Sequence, residues 1–484
     1  MAVTLSREAG FGGNRNKRRT AHWRGAGSTG SHGMNTSFFG ELLQTISERG
    51  RALIDLTRDR RGDAAARSHS LIELCEELLS GRGEASGVAL AREIFARYDA
   101  LTTGPRIAFF EALAGRYGVD RERVDAAVDA WTREGTDAAA FELHRAAEPR
   151  RQELFRRLNL APGGTAALVG MREDLIDAMV HRDDLAPVDQ DFVHLFSSWF
   201  NRGFLVLRRI DWATPALILE KIIRYEAVHQ IQDWNDLRRR IDPPDRRCYA
   251  FFHPALNDEP LIFVEVAFTD GIPRAIAPIL RQNGDTLAPA DANTAVFYSI
   301  SNCQRGLTGV SFGSFLIKQV VEEISREFPG LSTFVTLSPA PGFAQWLARE
   351  RQSNKPILLP EDLADLAELD KPNWWQDEAV AERLKEPMLH AAATYFLTAR
   401  NRNGGALDPV ARFHLGNGAR LQQLNTLGDL SEKGLAQSHA LMVNYQYDVD
   451  DIEKNHEAFA ENRTVVAASG IRRLARAPRE LVKA

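Results

Sequence analysis

The sequence predicts an α+β protein, with an all-helical domain over residues 37–203 followed by an α/β domain over residues 204–484. Three observations carry this reading. Up to Arg202, apolar residues recur three and four positions apart, and no period-two run appears. From Phe204 onward, short runs rich in aromatic and β-branched residues alternate with helix-like segments. In the middle of that second half, residues 295–347 read as strand, glycine-rich turn, amphipathic helix, strand and sharp turn.

Taken in order, residues 1–36 are expected to form a disordered basic tail. The first 33 hold seven glycines, six Lys or Arg and a single acid, Glu8, and cannot bury enough apolar surface to offset the entropy of ordering. Their basic, acid-poor character suits a transit peptide, an upstream start codon or a cloning scar, with Met34 as the true start in the latter cases. Then FFGELLQTI, LIELCEELL, VALAREIFARY and RIAFFEALAGRY read as helices separated by SGRGEASG and similar breaks. This blandness points to a scaffolding or oligomerising role. His181-Arg182-Asp183-Asp184-Leu185 imitates a kinase catalytic loop, but its helical setting and the lack of a GxGxxG turn make it a solvated helix end. FLVLRRI, RRCYAFFH, EPLIFVEVAF and AVFYSI read as strands, as do residues 408–421 and 440–448. ALILEKIIRYEAV, FLIKQVVEEISREF, FAQWLARERQ and the long segment 377–399 read as helices, and residues 361–378 as an acidic insertion.

Composition narrows the class. A length of 484 residues implies at least two domains, and a net charge near −5 argues against general nucleic-acid binding. No 18-residue run is free of charge, so no membrane span is expected. Cys75, Cys248 and Cys303 are far apart, without metal-site spacing, so neither a metal nor a secreted disulfide framework is expected.

Two places in 295–347 carry chemistry. Gly306, Gly309 and Gly313 precede a helix, whose free amides and positive dipole end suit the phosphates of an acyl-coenzyme A. Ser338 ends the next strand, its backbone fixed by Pro339 and Pro341. The loop also matches GxSxG at Gly309-Val310-Ser311-Phe312-Gly313, but loop-like residues separate the strand from that glycine, against a nucleophile elbow. It resembles, without matching, the phosphate turn of the N-acetyltransferase-like fold. His414, alone, would read as a core histidine, and Tyr445 and Tyr447 share one strand face.

The segments EPLIFVEVAF, VFYSISNCQRGLTGV, FGSFLIK, LSPAPGFAQWL, DPVARFHLGNGA and LMVNYQY together resemble the malonyl-CoA decarboxylase family over nearly all of residues 246–448. The resemblance implies an N-terminal helical, oligomerising domain and a C-terminal catalytic domain with the N-acetyltransferase-like (GNAT) fold. It implies decarboxylation of malonyl-CoA to acetyl-CoA without added cofactor or metal. Carried over by motif, the catalytic residues are Ser338, His414 and Tyr447. The acyl-CoA-binding residues are Thr308, Gly309, Val310, Ser311, Phe312, Gly313 and Ser314, with Ser338 also touching substrate. Where animal members carry a loop Glu this chain has Ser311, so no carboxylate role transfers there. Decarboxylation needs donors at the thioester oxygen, a dry seat for the carboxylate and an acid for the carbon. On that chemistry His414 is the proton donor and Ser338 the hydroxyl at the carboxylate. An acyl-CoA-dependent N-acetyltransferase or an inactive malonyl-CoA-binding assembly protein are the alternatives. A homo-oligomer in the bacterial cytoplasm is expected, with a mitochondrial address as the second choice.

Overall fold

The computed structural model describes residues 64–80, 83–281, 286–310 and 316–475. The expected tail, the FFGELLQTI helix, and Ser311, Phe312, Gly313 and Ser314 of the glycine loop lie outside these residues.

Up to residue 204 the described chain is helical: α1 (Ala64–Leu79), α2 (Glu84–Asp99), α3 (Thr103–Gly115), α4 (Arg121–Glu134), α5 (Asp137–Ala147), α6 (Arg150–Asn159), α7 (Gly164–Met179) and α8 (Ala186–Trp199). Local chemistry sets the ends. Asp120 and Thr136 accept the amides of Arg123 and Ala139, each at 3.2 Å, at the starts of α4 and α5. Between those helices Gly135, left-handed at φ 59°, ends α4 and reverses the chain. Phe155 of α6 stacks on Phe192 of α8 with centroids 4.1 Å apart, and Phe196 meets Phe200 edge-on. The buried Arg151 pairs beside them with Asp191, which also accepts from Gln152 Nε2 at 2.5 Å. The kinase-like run is indeed a surface helix end, where Arg182 pairs with Asp184 at 2.8 Å and Glu111 at 2.6 Å.

An eight-stranded sheet follows, built from β1 (Val206–Ile210), β2 (Arg246–Phe252), β3 (Pro260–Thr269), β4 (Thr294–Asn302), β5 (Thr333–Thr336), β6 (Ser338–Pro339), β7 (Arg420–Asn425) and β8 (Met442–Gln446). The order is β1-β2-β3-β4-β5-β8-β6, with β7 also pairing β8, and β4–β5 is a parallel pair in an otherwise antiparallel sheet. Every residue of β2 is buried, because both faces of the sheet are covered. On one face lie α9 (Ala216–Tyr225) and α10 (Trp234–Ile241), packed on Cys248, Ala250 and Phe263. On the other, the apolar core of the helical part continues without interruption into Tyr249, Phe251 and Val264. The parallel pair needs a crossover, supplied by α11 (Leu316–Glu327), whose Ile317, Val320, Val321 and Ile324 are buried as its periodicity predicts.

β4 and β5 stay together only from Thr294↔Thr333 to Phe297↔Thr336. Beyond that point β4 runs on to Asn302, whereas the other chain turns into β6 and pairs with β8. A bulge coincides with the parting: Val266 faces Phe297 and Glu265 faces Ser299, which leaves Tyr298 out of register.

One expected strand is a helix. Residues 409–416 form α12 (Pro409–Gly416), with Asp408 accepting the amides of Val410 and Ala411 at 2.9 Å each and Pro409 in the first turn. Cap and proline outweigh the loose alternation, and the extended segment begins only at Arg420.

Phe155→Ala should lower the unfolding free energy by about 3–5 kcal/mol, since it empties a fully buried ring site against Phe192. Denaturant unfolding measures this, and a loss below about 1 kcal/mol would show that the stack is not structural.

Candidate active site

The parting of β4 from β5 leaves a cavity of about 230 Å³. Its walls include Phe297, Tyr298 and Ile300 of β4, Ser338 of β6, and Val410, Phe413 and His414 of α12. Ser338 arrives there because Thr336 ends β5 and Leu337 N still donates to Phe297 O at 3.0 Å. His414 arrives because the Asp408 cap sets where α12 starts. Asp408 is itself held from two sides, by the Tyr395 hydroxyl at 3.1 Å and Gly342 N at 3.4 Å. Gly342 has no room for a side chain, since a Cβ would stand 2.4 Å from the Tyr395 hydroxyl.

The three residues assigned by resemblance meet. Ser338 Oγ lies 3.1 Å from His414 Nε2 and 2.9 Å from Thr336 Oγ1, and His414 Nδ1 lies 2.8 Å from the Tyr447 hydroxyl. Tyr445, two residues before Tyr447 on β8, stacks on the His414 ring with centroids 4.7 Å apart. Thr336 Oγ1 also accepts Tyr445 N at 3.1 Å, which ties β5, β6 and β8 together around the serine.

Burial sets the electrostatics. His414 is 3% exposed, and loss of hydration pushes its pKa down to about 3, so the ring is neutral at physiological pH. The same cause raises the Tyr447 phenol well above its usual value. No carboxylate touches the His414 ring among the described residues; both ring nitrogens face hydroxyls.

A larger groove of about 860 Å³ adjoins this cavity, and Asn302 and Phe413 line both. Thr308, Gly309 and Val310 form part of its wall, with Gly309 left-handed at φ 81°. Arg305, Arg412 and His456 bring cationic or protonatable groups to it, and His456 Nδ1 donates to Gly416 O at 2.7 Å. The loop residues at 308–310 and the Ser338–His414 pair therefore line adjoining spaces.

Sequence reasoning missed Thr336, Tyr445, Tyr395 and Asp408. Asp408 was findable, because an Asp-Pro pair ahead of an apolar run is a helix-start signal. Tyr395 was not, since its contact with Asp408 arises only when residues 378–398 fold as a helix alongside.

Similarity to known proteins follows the same division of the chain. A profile described as the malonyl-CoA decarboxylase C-terminal domain matches residues 203–484, and one described as the malonyl-CoA decarboxylase N-terminal domain matches residues 117–200. The crystal structure of malonyl-CoA decarboxylase from Rhodopseudomonas palustris is similar with a TM-score of 0.81 and 60% identity, covering 84% of this chain and 99% of that one. That from Agrobacterium vitis gives 0.80 and 55% over the same shares. The mitochondrial malonyl-CoA decarboxylase of Rattus norvegicus is 35% identical over 393 residues, 74% of this chain and 79% of its own length.

A neutral buried histidine carries a pH signature. Below pH ~6.5 the unfolded chain takes up a proton at residue 414 that the folded chain refuses until about pH 3, so stability falls as pH drops through that window. His414→Gln should make the acid limb of stability against pH shallower by up to about 1.4 kcal/mol per pH unit between pH ~6 and ~4. An unchanged slope in pH-resolved denaturation would contradict the neutral state.

Proposed function

Since this chain belongs to the malonyl-CoA decarboxylase family, we propose that its buried line of Tyr447, His414 and Ser338 is the proton-transfer machinery of the carboxy-lyase. The reaction converts malonyl-CoA to acetyl-CoA and CO₂.

The observation that carries the reading is the pairing of the buried Tyr447 hydroxyl with His414 Nδ1 and of Ser338 Oγ with His414 Nε2, from which the direction of the hydrogen bonds is argued. His414 Nδ1 is the one partner of the Tyr447 hydroxyl among the described residues, and that hydroxyl is fully buried. A buried O–H left without an acceptor costs about 1–3 kcal/mol, so Tyr447 donates to Nδ1. The imidazole, neutral, then carries its proton on Nε2 and donates to Ser338 Oγ, which donates in turn to Thr336 Oγ1. Nε2 is thus a proton donor in the resting site. A serine nucleophile needs the opposite tautomer, with Nε2 as acceptor.

In this reading the malonyl group enters the small cavity with its thioester toward β4 and its carboxylate toward Ser338. Among the described residues the β4 edge has no strand partner on the cavity side beyond Phe297, and in this reading its backbone amides receive the thioester oxygen. The C–C pair of the departing CO₂ flows into the thioester to form an enolate. Nε2 delivers its proton to the α-carbon as the Tyr447 proton moves to Nδ1; a solvent proton then enters at Nε2 through the cavity and Nδ1 returns its proton to the Tyr447 oxygen, for a net uptake of one proton. The thioester is itself the electron sink, so we assign no metal or added cofactor. Coenzyme A extends along the larger groove over Thr308 and Gly309. Each oxyanion donor contributes about 3–4 kcal/mol and the general acid about 10²–10⁴-fold.

Self-association follows from the helical hairpin. No residue of α4 is buried, although Val128 and Trp131 are apolar, and Phe141 of α5 is also exposed. We assign this face to contact between copies of the chain, and the cytoplasm as its location; no helix among the described residues is long and apolar enough to cross a membrane.

His414→Asn should lower kcat by about 10²–10⁴-fold with acetyl-CoA binding nearly intact, and Tyr447→Phe by about 10- to 100-fold with little change in KM. Mass spectrometry of enzyme quenched during turnover should find Ser338 unmodified. An acyl adduct on Ser338 would overturn the proton-donor reading in favour of covalent catalysis.

A further inference from the structure

The turn that leads into the coenzyme loop is held by the helical part of the chain. Arg305–Leu307 is a 3-10 turn ending β4's excursion, and Thr308 follows it directly. Both polar groups of Gly306 are taken by neighbouring residues of α7. Its C=O accepts from Arg172 Nη1 at 2.8 Å, and its N–H donates to Glu173 Oε1 at 3.1 Å. Arg305 is fixed from the same helix, donating to Glu173 O at 3.2 Å and pairing with Asp177 at 2.5 Å.

Two features make this more than incidental packing. A Cβ at residue 306 would stand 2.1 Å from Val169 O, so the turn lies flat on α7 with no clearance. Arg172 is buried at 3% exposure, and its Nε donates to Asp189 Oδ1 on α8 at 2.8 Å, so its reach to Gly306 is set by two helices at once. Immediately downstream, Thr308 Oγ1 donates back to Arg305 O at 2.7 Å and Val310 N to Leu307 O at 3.0 Å. The clamp therefore fixes the first residues of the loop itself.

We infer that Arg172 and Glu173 are positioning residues for acyl-CoA binding: α7 of the helical part backs the turn that walls the coenzyme site and sets the height of the 305–310 segment over the groove. This rests on the reading that the segment Thr308, Gly309 and Val310 lies at the coenzyme seat. The clamp lies at the loop and touches none of Ser338, His414 or Tyr447. Its loss should weaken binding of the nucleotide end while the chemical step is spared.

The test is a KM-against-kcat split with two substrates. Glu173→Ala and Arg172→Lys should each raise KM for malonyl-CoA about 3- to 10-fold with kcat within about twofold. Malonyl-pantetheine, which lacks the phosphorylated nucleotide, should be turned over by both variants as by the parent. Glu173→Gln, which keeps an acceptor for Gly306 N, should recover most of the affinity. A KM unchanged for malonyl-CoA in both variants, or equal losses with both substrates, would overturn the clamp. Gly309→Ala, which strains a left-handed residue in the loop, separates the two ideas. A raised KM there with none in the clamp variants refutes the clamp alone, whereas no change in Gly309→Ala refutes the loop as the coenzyme seat.

Discussion

The parting of β4 from β5 after Phe297 and Thr336 is the constraint on which the rest of the site depends. A parallel pair continued to the end of β4 would fill the space now lined by Ser338 and His414. Because the second strand leaves for β6, β4 has no strand partner on that side beyond Phe297 among the described residues. Unpaired backbone within a covered sheet is costly unless something takes its hydrogen bonds. Here the cavity of about 230 Å³ lies against that edge, with Phe297, Tyr298 and Ile300 of β4 in its wall. The same departure brings Ser338 opposite Val443 on β8, the strand that carries Tyr445 and ends one residue before Tyr447.

A second consequence is a site without ions. Asp408, the nearest supporting acid, spends its oxygens on the α12 amides, Gly342 N and Tyr395, and its burial raises its pKa. It holds His414 through the helix and not through the ring. An acid hydrogen-bonded to Nδ1 would favour imidazolium and pull the site toward hydrolytic chemistry. With the Tyr447 hydroxyl in that position instead, burial alone sets the ring's charge and leaves it neutral.

Much of this was legible in the chain. The division into helical and sheet parts followed from periodicity alone, and the buried face of the crossover helix followed from Ile317, Val321 and Ile324. The strand carrying Tyr445 and Tyr447 was also visible, while their contact with His414 was not. Residues 408–416 were misread because PVARFHL alternates over a few positions, and an eight-residue helix is too short for its period to dominate. The Asp408-Pro409 pair is the signal that decides for helix there, through its cap and its fixed first turn. Ser338, His414 and Tyr447 lie on three separate elements, and only their motif context joined them before the fold did. The grip of α7 on Gly306 had no sequence signal at all. It depends on Arg172 and Glu173, ordinary charged residues of an ordinary helix, meeting a turn more than a hundred residues away.

The neutrality of the small cavity also bears on how decarboxylation is driven. Among the described residues its lining holds no charged side chain: Phe297, Ile300, Val410 and Phe413 are apolar, and Ser338, Tyr298 and Asn302 offer uncharged polar groups. A lysine or arginine at the carboxylate would bind malonyl-CoA more tightly, but it would stabilise the charge that must disappear from those oxygens as CO₂ forms. Interactions that favour the ground state as much as the transition state do not raise kcat. In the proposed pose, with a hydroxyl at the carboxylate and backbone donors at the thioester, stabilisation grows where charge develops and stays small where charge is lost. Affinity must then come from elsewhere on the substrate, and the larger groove with Arg305, Arg412 and the Thr308–Gly309 segment is where it is available. Tight placement of that segment by α7 is therefore not separate from catalysis: in a site that declines to grip the reacting carboxylate, the coenzyme end must hold the substrate in register with Nε2.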